Sequence, residues 1–320
     1  MSAASDVVDA APDRAPQVSV VVPVYRNRHT LLELLRRLDA ALAGEAREYV
    51  FVVDASPDDS LALLLEAQRE RPHLVVLELA RNAGQHGALC AGFAAARGRV
   101  ALVLDADLQQ RPEDLPRALE SWRAGHDFVS GWRRVRRDPL TRRVASAAMN
   151  ALVRRVTGVA LHDWGCPLAA VDRSVFERIP EGGEQRRFLK PLVASLSRNA
   201  MEIEIEADAR TGASSYSPFM LCALALDFVV SFTRRPFQWL IGIGALGVLA
   251  GTLGAIVYFA ARLFGASASD RAQVLVVLGL LVGLQLVVLG AVGEFTHRIY
   301  RLVQARPLYE VRAVHRADPK

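Results

Sequence analysis

The chain has 320 residues, 52% hydrophobic and 23% charged, which is enough for one soluble domain of ordinary size and something more. Its formal charge of +5 suits nucleic acid, anionic lipid or a phosphorylated substrate equally well. Cys90, Cys166 and Cys222 lie too far apart in sequence for a metal-ligand pattern, in keeping with a reducing compartment, and residues 1–16 lack the apolar run of a signal peptide and read as a disordered leader.

From residue 17 onward, strand and helix alternate. Val18–Val22 reads as a strand, and His29–Ala43 as a helix with apolar residues at helical spacing. Tyr49–Val53 is a second strand, followed by a helix over about residues 59–69 and a third strand at Leu74–Leu79. A helix over Gly87–Ala96 leads into a fourth strand, Val100–Leu104. Phe128–Ser130 and Ala200–Ala207 add strands, the latter with Glu202, Glu204 and Glu206 facing one way. Strands separated by helices predict right-handed crossovers and a parallel sheet, whose ligands bind beyond the carboxyl ends of the strands.

Those ends are where the polar residues fall. Pro23-Val-Tyr-Arg-Asn27 follows the first strand, Asp54-Ala-Ser-Pro-Asp-Asp59 the second and Asp105-Ala-Asp107 the fourth. Tyr25 is suited to stack on a base and Asp54 to accept from a base or ribose. Asp105 and Asp107, one residue apart on an extended chain, can hold a hard divalent cation that carries diphosphate oxygens. Each is also ordinary turn chemistry, and the Asp pair serves equally well to cap a following helix. Three such groups in order at successive strand ends favour a ligand site.

Composition changes near residue 236. Phe237–Ala261 and Ala272–Gly293 carry no charge, and each is long enough for the roughly 20 residues that span a bilayer. The short connection predicts a transmembrane hairpin. Arg234, Arg235, Arg298, Arg301 and Arg306 flank it, against Arg262, Arg271 and Asp270 in the loop, so both termini are expected in the cytoplasm. Ahead of the hairpin, Ser217–Phe232 is largely apolar with one acid, Asp227; it reads as an interfacial helix or as a core helix of the soluble domain.

The order of these groups resembles glycosyltransferase family 2. The resemblance narrows with Arg81-Asn-Ala-Gly-Gln-His86, Leu104-Asp-Ala-Asp-Leu-Gln109 and Gly131-Trp-Arg-Arg-Val-Arg-Arg-Asp138. It continues through His162-Asp-Trp-Gly-Cys166, Gly212-Ala-Ser-Ser-Tyr216, Gly293-Glu-Phe-Thr-His-Arg-Ile-Tyr300 and Ala305-Arg-Pro-Leu-Tyr309. Over residues 17 to about 312 the chain is similar to the polyprenyl-phosphate glycosyltransferases. The resemblance implies an α/β GT-A (Rossmann-like) catalytic domain over 17–210 and an interfacial segment over 211–235. A transmembrane hairpin over 236–295 and a cytoplasmic tail over 296–320 complete the expected division.

It also implies site residues. Pro23, Tyr25 and Asp54 line the nucleotide pocket, with Asn82 and Gly84 near the base or ribose. Asp105, Asp107 and Gln109 bind Mg²⁺ or Mn²⁺ and the diphosphate. Arg133 and Arg136 meet the donor diphosphate or the lipid phosphate, and Asp163 lies near the reacting sugar. The implied substrates are a nucleoside-diphosphate sugar, UDP-linked by analogy, and undecaprenyl phosphate in a bacterial inner membrane. The assembly is a homo-oligomer, a tetramer by resemblance. Overall resemblance favours a 4-deoxy-4-formamido-L-arabinose donor; galacturonate, N-acetylhexosamine, glucose and mannose donors share the scaffold.

The nucleophile, a polyprenyl phosphate, is already ionised near neutral pH and needs no strong base. The larger task is to bring two anionic groups together and stabilise the leaving group, for which a divalent ion and the guanidinium groups of Arg133, Arg136, Arg142 or Arg143 are suited. The arginine run has a second reading as a solvated face or an anionic-lipid contact, and Asp163 as the start of a turn. Cys166 reads as a core residue, and Glu294 as facing the interface with Arg298 one turn on as its partner.

Three residues depart from the family pattern. Ala55 replaces the glycine of an Asp-Gly-Ser turn, Arg26 replaces an asparagine, and Ser215 replaces a lysine before Tyr216, leaving Arg210 as a substitute cation. Ala55 is strained if that turn has positive φ. Ala55 and Ser215 also feed the rival reading of a non-catalytic nucleotide-sugar sensor or scaffold. A polysaccharide-building transferase needs more spans than two, and nucleic-acid binding lacks an aromatic groove.

Overall fold

The computed structural model describes residues 16–133, 140–180, 188–206, 227–228, 231–232, 237–264, 270–303 and 308–317. The chain divides into two compact units, Met1–Ala225 with Pro307–Lys320, and Leu226–Arg306.

The first unit is built on an eight-stranded sheet of order β7-β5-β6-β4-β1-β2-β3-β8. Its strands are β1 (Val18–Val24), β2 (Arg47–Val53), β3 (Leu74–Leu79), β4 (Val100–Val103), β5 (Phe128–Arg133), β6 (Ala169–Asp172), β7 (Ala200–Ile205) and β8 (Val311–His315). The expected parallel sheet is present as β4-β1-β2-β3, with β7 parallel to β5. Two strands absent from the sequence reading make the sheet mixed. Strand β6 runs antiparallel between β4 and β5, and β8 runs antiparallel along β3. Val311 and Val314 of β8 are exposed, so that edge strand lacks a continuous apolar run, and β6, though buried, has only four residues, two of them alanine. Residues 296–320, expected as a tail, are thus divided between a helix that runs to Val303 and a strand that covers the free edge of β3.

Both faces of the sheet are covered, and for this reason β1 and β2 read as largely apolar segments, with Ser19 and Glu48 buried and paired to each other. Val20, Val22, Tyr49 and Phe51 pack on one side with Leu31, Leu34, Leu35 and Leu38 of α1 (Leu31–Ala41), Leu64 of α2 (Ser60–Gln68) and Leu115 of α4 (Leu115–Arg123). Val21, Val50 and Val52 pack on the other with α3 (Gly84–Ala95), α6 (Arg173–Phe176) and α7 (Leu189–Leu196). Each fully buried large side chain contributes about 1.5–3 kcal/mol. Helix α3 rides unusually close to the sheet: a Cβ on Gly92 would stand 2.2 Å from Val21 Cγ1. Between β5 and β6 lies α5 (Leu140–Thr157).

The second unit holds two long helices, α8 (Gln238–Leu263) and α9 (Asp270–Val303). Both are long and apolar enough to cross a membrane, with 11% of each apolar window buried. They pack on each other through glycine: a Cβ on Gly244 would stand 2.7 Å from Gly283 O, and one on Gly283 2.6 Å from Val248 N. Glu294, expected at an interface, is buried; the side chain of Arg298 lies outside the described residues. Most of the segment expected as an interfacial helix lies outside them too.

Candidate active site

Because β1 to β4 are parallel, their carboxyl ends share one edge of the sheet, and β5 points the same way through its antiparallel link to β6. Ala169, the first residue of β6, pairs with both Val103 and Ser130, so the segment that enters β6 (residues 163–168) arrives at this edge between β4 and β5. Those two strands are about 10 Å apart, two sheet spacings.

The turn after β2 places Asp54 in the interior, 3% exposed. Its Oδ1 accepts the backbone N–H of Ala83 at 2.6 Å, Asn82 Nδ2 donates to the Asp54 carbonyl at 3.3 Å, and Gly84 N–H donates to Asn82 Oδ1 at 3.2 Å. The structure therefore brings Asp54, Asn82 and Gly84 together at the start of α3. Burial pushes the Asp54 carboxyl above its ordinary range, against the opposing pull of the Ala83 and Gly84 amides. A cavity of about 300 Å³ opens here, lined by Arg81–His86 and Leu308. Tyr25 is 43% exposed after β1, its ring 5.3 Å from the Arg26 guanidinium, and Pro23 is a half-buried residue of β1.

Asp105 and Asp107 follow β4, both partly exposed about a buried Ala106, but residues 106–107 form a turn in place of the extended chain expected from sequence. They cap no helix. Asp107 Oδ1 accepts Gln109 N–H at 3.0 Å within the turn, and the next helical residues begin at Pro112. Asp105 Oδ1 accepts from Gln85 Nε2 at 2.6 Å, which ties α3 to the end of β4. Among the described residues no cluster of three or more His, Cys, Asp or Glu side chains is poised for a metal. Two hard carboxylates one residue apart at the end of β4 do fit Mg²⁺ or Mn²⁺, which complete their shells with water and substrate phosphate.

Arg133, the last residue of β5, pairs with Asp163. Its Nε and Nη2 donate to Oδ2 and Oδ1 at 2.8 and 3.1 Å, a two-pronged pair in which the Asp163 side chain is 2% exposed. Asp163 does begin a turn, since Oδ1 also accepts Gly165 N–H at 3.0 Å. Glu202 of β7 accepts from His162 N, His162 Nδ1 and Asp163 N, and Trp132 stacks on the His162 ring at 4.7 Å. Lys190 Nζ donates to the carbonyls of Asp163 and Cys166. Cys166 is 1% exposed and its thiol is pushed up by burial, as suits a core residue. Arg136, Arg210 and Ser215 lie outside the described residues, as do the side chains of Arg142 and Arg143.

The sequence reading missed Gln85, Lys190 and Glu202. Gln85 stood inside a quoted motif; the other two stand far from their partners in sequence and carry no local signal. Asp58 stood in the polar segment after the second strand, with no role assigned to it. Asp58 accepts from Ser56 Oγ at 2.6 Å and from Arg28 N at 3.2 Å, stapling the β2 turn to the β1 turn.

The glycosyl transferase family 2 model matches residues 19–179. The undecaprenyl-phosphate 4-deoxy-4-formamido-L-arabinose transferase of Pseudomonas aeruginosa (strain LESB58) is 40% identical over 309 residues, 94% of this chain and 91% of its own length. The enzyme of the same name from Klebsiella pneumoniae subsp. pneumoniae is 38% identical over 307 residues, 94% of each chain. Among solved structures, glucosyl-3-phosphoglycerate synthase from Mycobacterium tuberculosis, in complex with Mn²⁺, UDP-glucose and phosphoglyceric acid, superposes with a TM-score of 0.50 at 18% identity. That match covers 69% of this chain and 80% of that one, and it bears on the fold alone. The chain belongs to glycosyl transferase family 2 and is a glycosyltransferase.

Proposed function

We propose that this glycosyltransferase moves a sugar, 4-deoxy-4-formamido-L-arabinose, from its UDP-linked donor to undecaprenyl phosphate at the cytoplasmic face of a bacterial inner membrane. The observation that carries the reading is the extent of the likeness to the named transferases, 38–40% identity over 94% of the chain, hairpin included. Two helices of membrane-crossing length and apolarity suit an acceptor that lives in the bilayer.

In this reading the donor nucleotide enters the cavity at Arg81–His86 beside Asp54, with Tyr25 against the base. Asp105 and Asp107 hold the divalent cation, Mg²⁺ or Mn²⁺, which when bound supplies Lewis-acid stabilisation of the diphosphate. A phosphate oxygen of the lipid attacks the anomeric carbon on the face opposite the leaving diphosphate. The bond from that carbon to the diphosphate breaks, and configuration inverts. Asp163, fixed by Arg133, orients a sugar hydroxyl; Arg133 and Arg136 balance the charge of the two phosphate groups. The lipid-linked sugar serves envelope modification, and the working unit is a homo-oligomer, a tetramer by resemblance.

The test is glycosylation of undecaprenyl phosphate in detergent with Mn²⁺ and a panel of UDP-sugars, scored by mass spectrometry. One donor yields a metal-dependent product, and Asp107→Asn abolishes it. A different single donor keeps the reaction class and replaces the sugar. If no donor reacts while UDP still binds, the sensor reading takes its place.

A further inference from the structure

Of the 39 basic residues in the chain only Lys190 and Lys320 are lysines, so arginine is the rule and a lysine at a structured position is an exception. Lys190 lies in the first turn of α7, with its ammonium 2.7 Å from the Asp163 carbonyl and 2.8 Å from the Cys166 carbonyl. A compact ammonium can bridge two carbonyls three residues apart, whereas the wide planar fork of arginine fits that space poorly. The same residue is also held through its amide, because Glu202 takes the Asp163 N–H at 3.1 Å. Between these two grips, the Asp163 carboxylate meets Arg133 in a two-pronged pair.

We propose that Lys190 is a positioning residue: its ammonium clamps the Asp163–Cys166 turn from the α7 side and thereby sets where the Asp163 carboxylate stands at the sheet edge. This rests on the glycosyl-transfer reading only for its consequence in turnover; the clamp is a statement about the turn. Each group of the clamp comes from a different element: Lys190 from α7, Glu202 from β7 and Arg133 from β5. The position of Asp163 is therefore fixed from across the sheet as well as by its own turn, where Oδ1 accepts Gly165 N–H. Displacing a reacting group by an ångström costs about 10- to 100-fold in rate, while substrate binding at other contacts is spared.

The test uses the full chain in detergent, comparing wild type with Lys190→Met and Lys190→Arg. Hydrogen–deuterium exchange over residues 161–168 rises in both variants while amides of β1 and β2 keep their protection. In the glycosylation assay kcat falls about 10- to 100-fold, with KM for donor and acceptor within about twofold of wild type. Adding Asp163→Asn to Lys190→Met lowers kcat by less than it does in the wild-type background, because the two act through one group. Unchanged exchange over 161–168 overturns the proposal whatever the activity, and so does a loosened turn with undiminished kcat. If the wild type transfers no sugar at all, the glycosyl-transfer reading fails, and the exchange measurement still decides the clamp. A variant that fails to fold shows itself as lost protection in β1 and β2, and Lys190→Arg, which keeps the charge, then carries the comparison.

Discussion

Among the described residues, three other than glycine adopt left-handed backbone angles, and each follows a strand that feeds the site: Arg26 after β1 (φ 59°), Ala55 after β2 (φ 48°) and Leu108 after β4 (φ 59°). A side chain in that region costs about 1–2 kcal/mol, and such strain gathers where a fold holds its ligand groups. The alanine that departs from the family's glycine therefore keeps the turn at a cost instead of abandoning it. Ala55→Gly relieves that strain and gives back part of the gain through a freer unfolded chain, for a net stabilisation of about 0.5–1 kcal/mol. A thermal melt in detergent checks it; an unchanged or lower midpoint would sink the strain argument. Asp54, next to it, gives a pH prediction. Its carboxyl is raised in the folded state, so between that raised value and about 3.9 the native protein holds more protons than the unfolded chain, and acidification there favours folding. Binding runs the other way, since an acceptor role toward the nucleotide needs the carboxylate. Affinity for a UDP-sugar, whose diphosphate does not titrate in this range, falls on acidification at a pH above that of an ordinary aspartate. Asp54→Asn binds more weakly at neutral pH and loses that acid limb.

At the scale of elements, the site depends on how closely α3 lies on the sheet, because α3 carries Gly84 and Gln85 to the ends of β2 and β4. Gly92 permits this approach. Its Cβ position is 2.2 Å from Val21 Cγ1 and 3.2 Å from Val52 Cγ2, in a core with no slack. Gly92→Ala must push the helix outward and costs about 1–3 kcal/mol. It also weakens UDP binding, because the Ala83 amide moves off Asp54. Val21→Ala added to Gly92→Ala makes room for the new methyl and recovers part of both losses. A double variant no better than Gly92→Ala alone would show that the contact is not what sets the helix. The strands β1 to β4 and their helices were legible because burial on both faces writes continuous apolar runs, and Asp54, Asp105 and Asp107 because they interrupt those runs at their ends. β6 and β8 were not, being short strands at which pairing is decided by neighbours far away in sequence. The same holds inside the site. The aspartate at 163 was visible in its motif, but its bond to Arg133, 30 residues upstream, and the grips from Glu202 and Lys190 depend on sheet order.

At the scale of the whole molecule, one unit obeys the rules for water and the other breaks them. The sheet unit buries its apolar side chains, whereas α8 and α9 turn outward Leu246, Leu253, Phe259, Leu278, Leu284 and Leu289, each more than half exposed. A contiguous surface of that kind is not stable in water, and a bilayer is the solvent that suits it. Within the pair, apolar burial drives nothing in lipid, so close packing must hold the helices together. Gly283 is the tightest test of that packing, since its Cβ position meets backbone atoms, Val248 N at 2.6 Å and Gly244 O at 2.9 Å, which cannot rotate aside. Gly283→Ile therefore separates the two helices, yet each remains apolar enough to insert alone. The expected result is a protein that still resists carbonate extraction from membranes but melts several degrees lower in detergent, on the order of 1–3 kcal/mol of lost packing. Release of the wild type by carbonate would remove the membrane-spanning reading of the hairpin. An unchanged melting temperature in Gly283→Ile would instead leave the spans in place and refute the glycine contact between them.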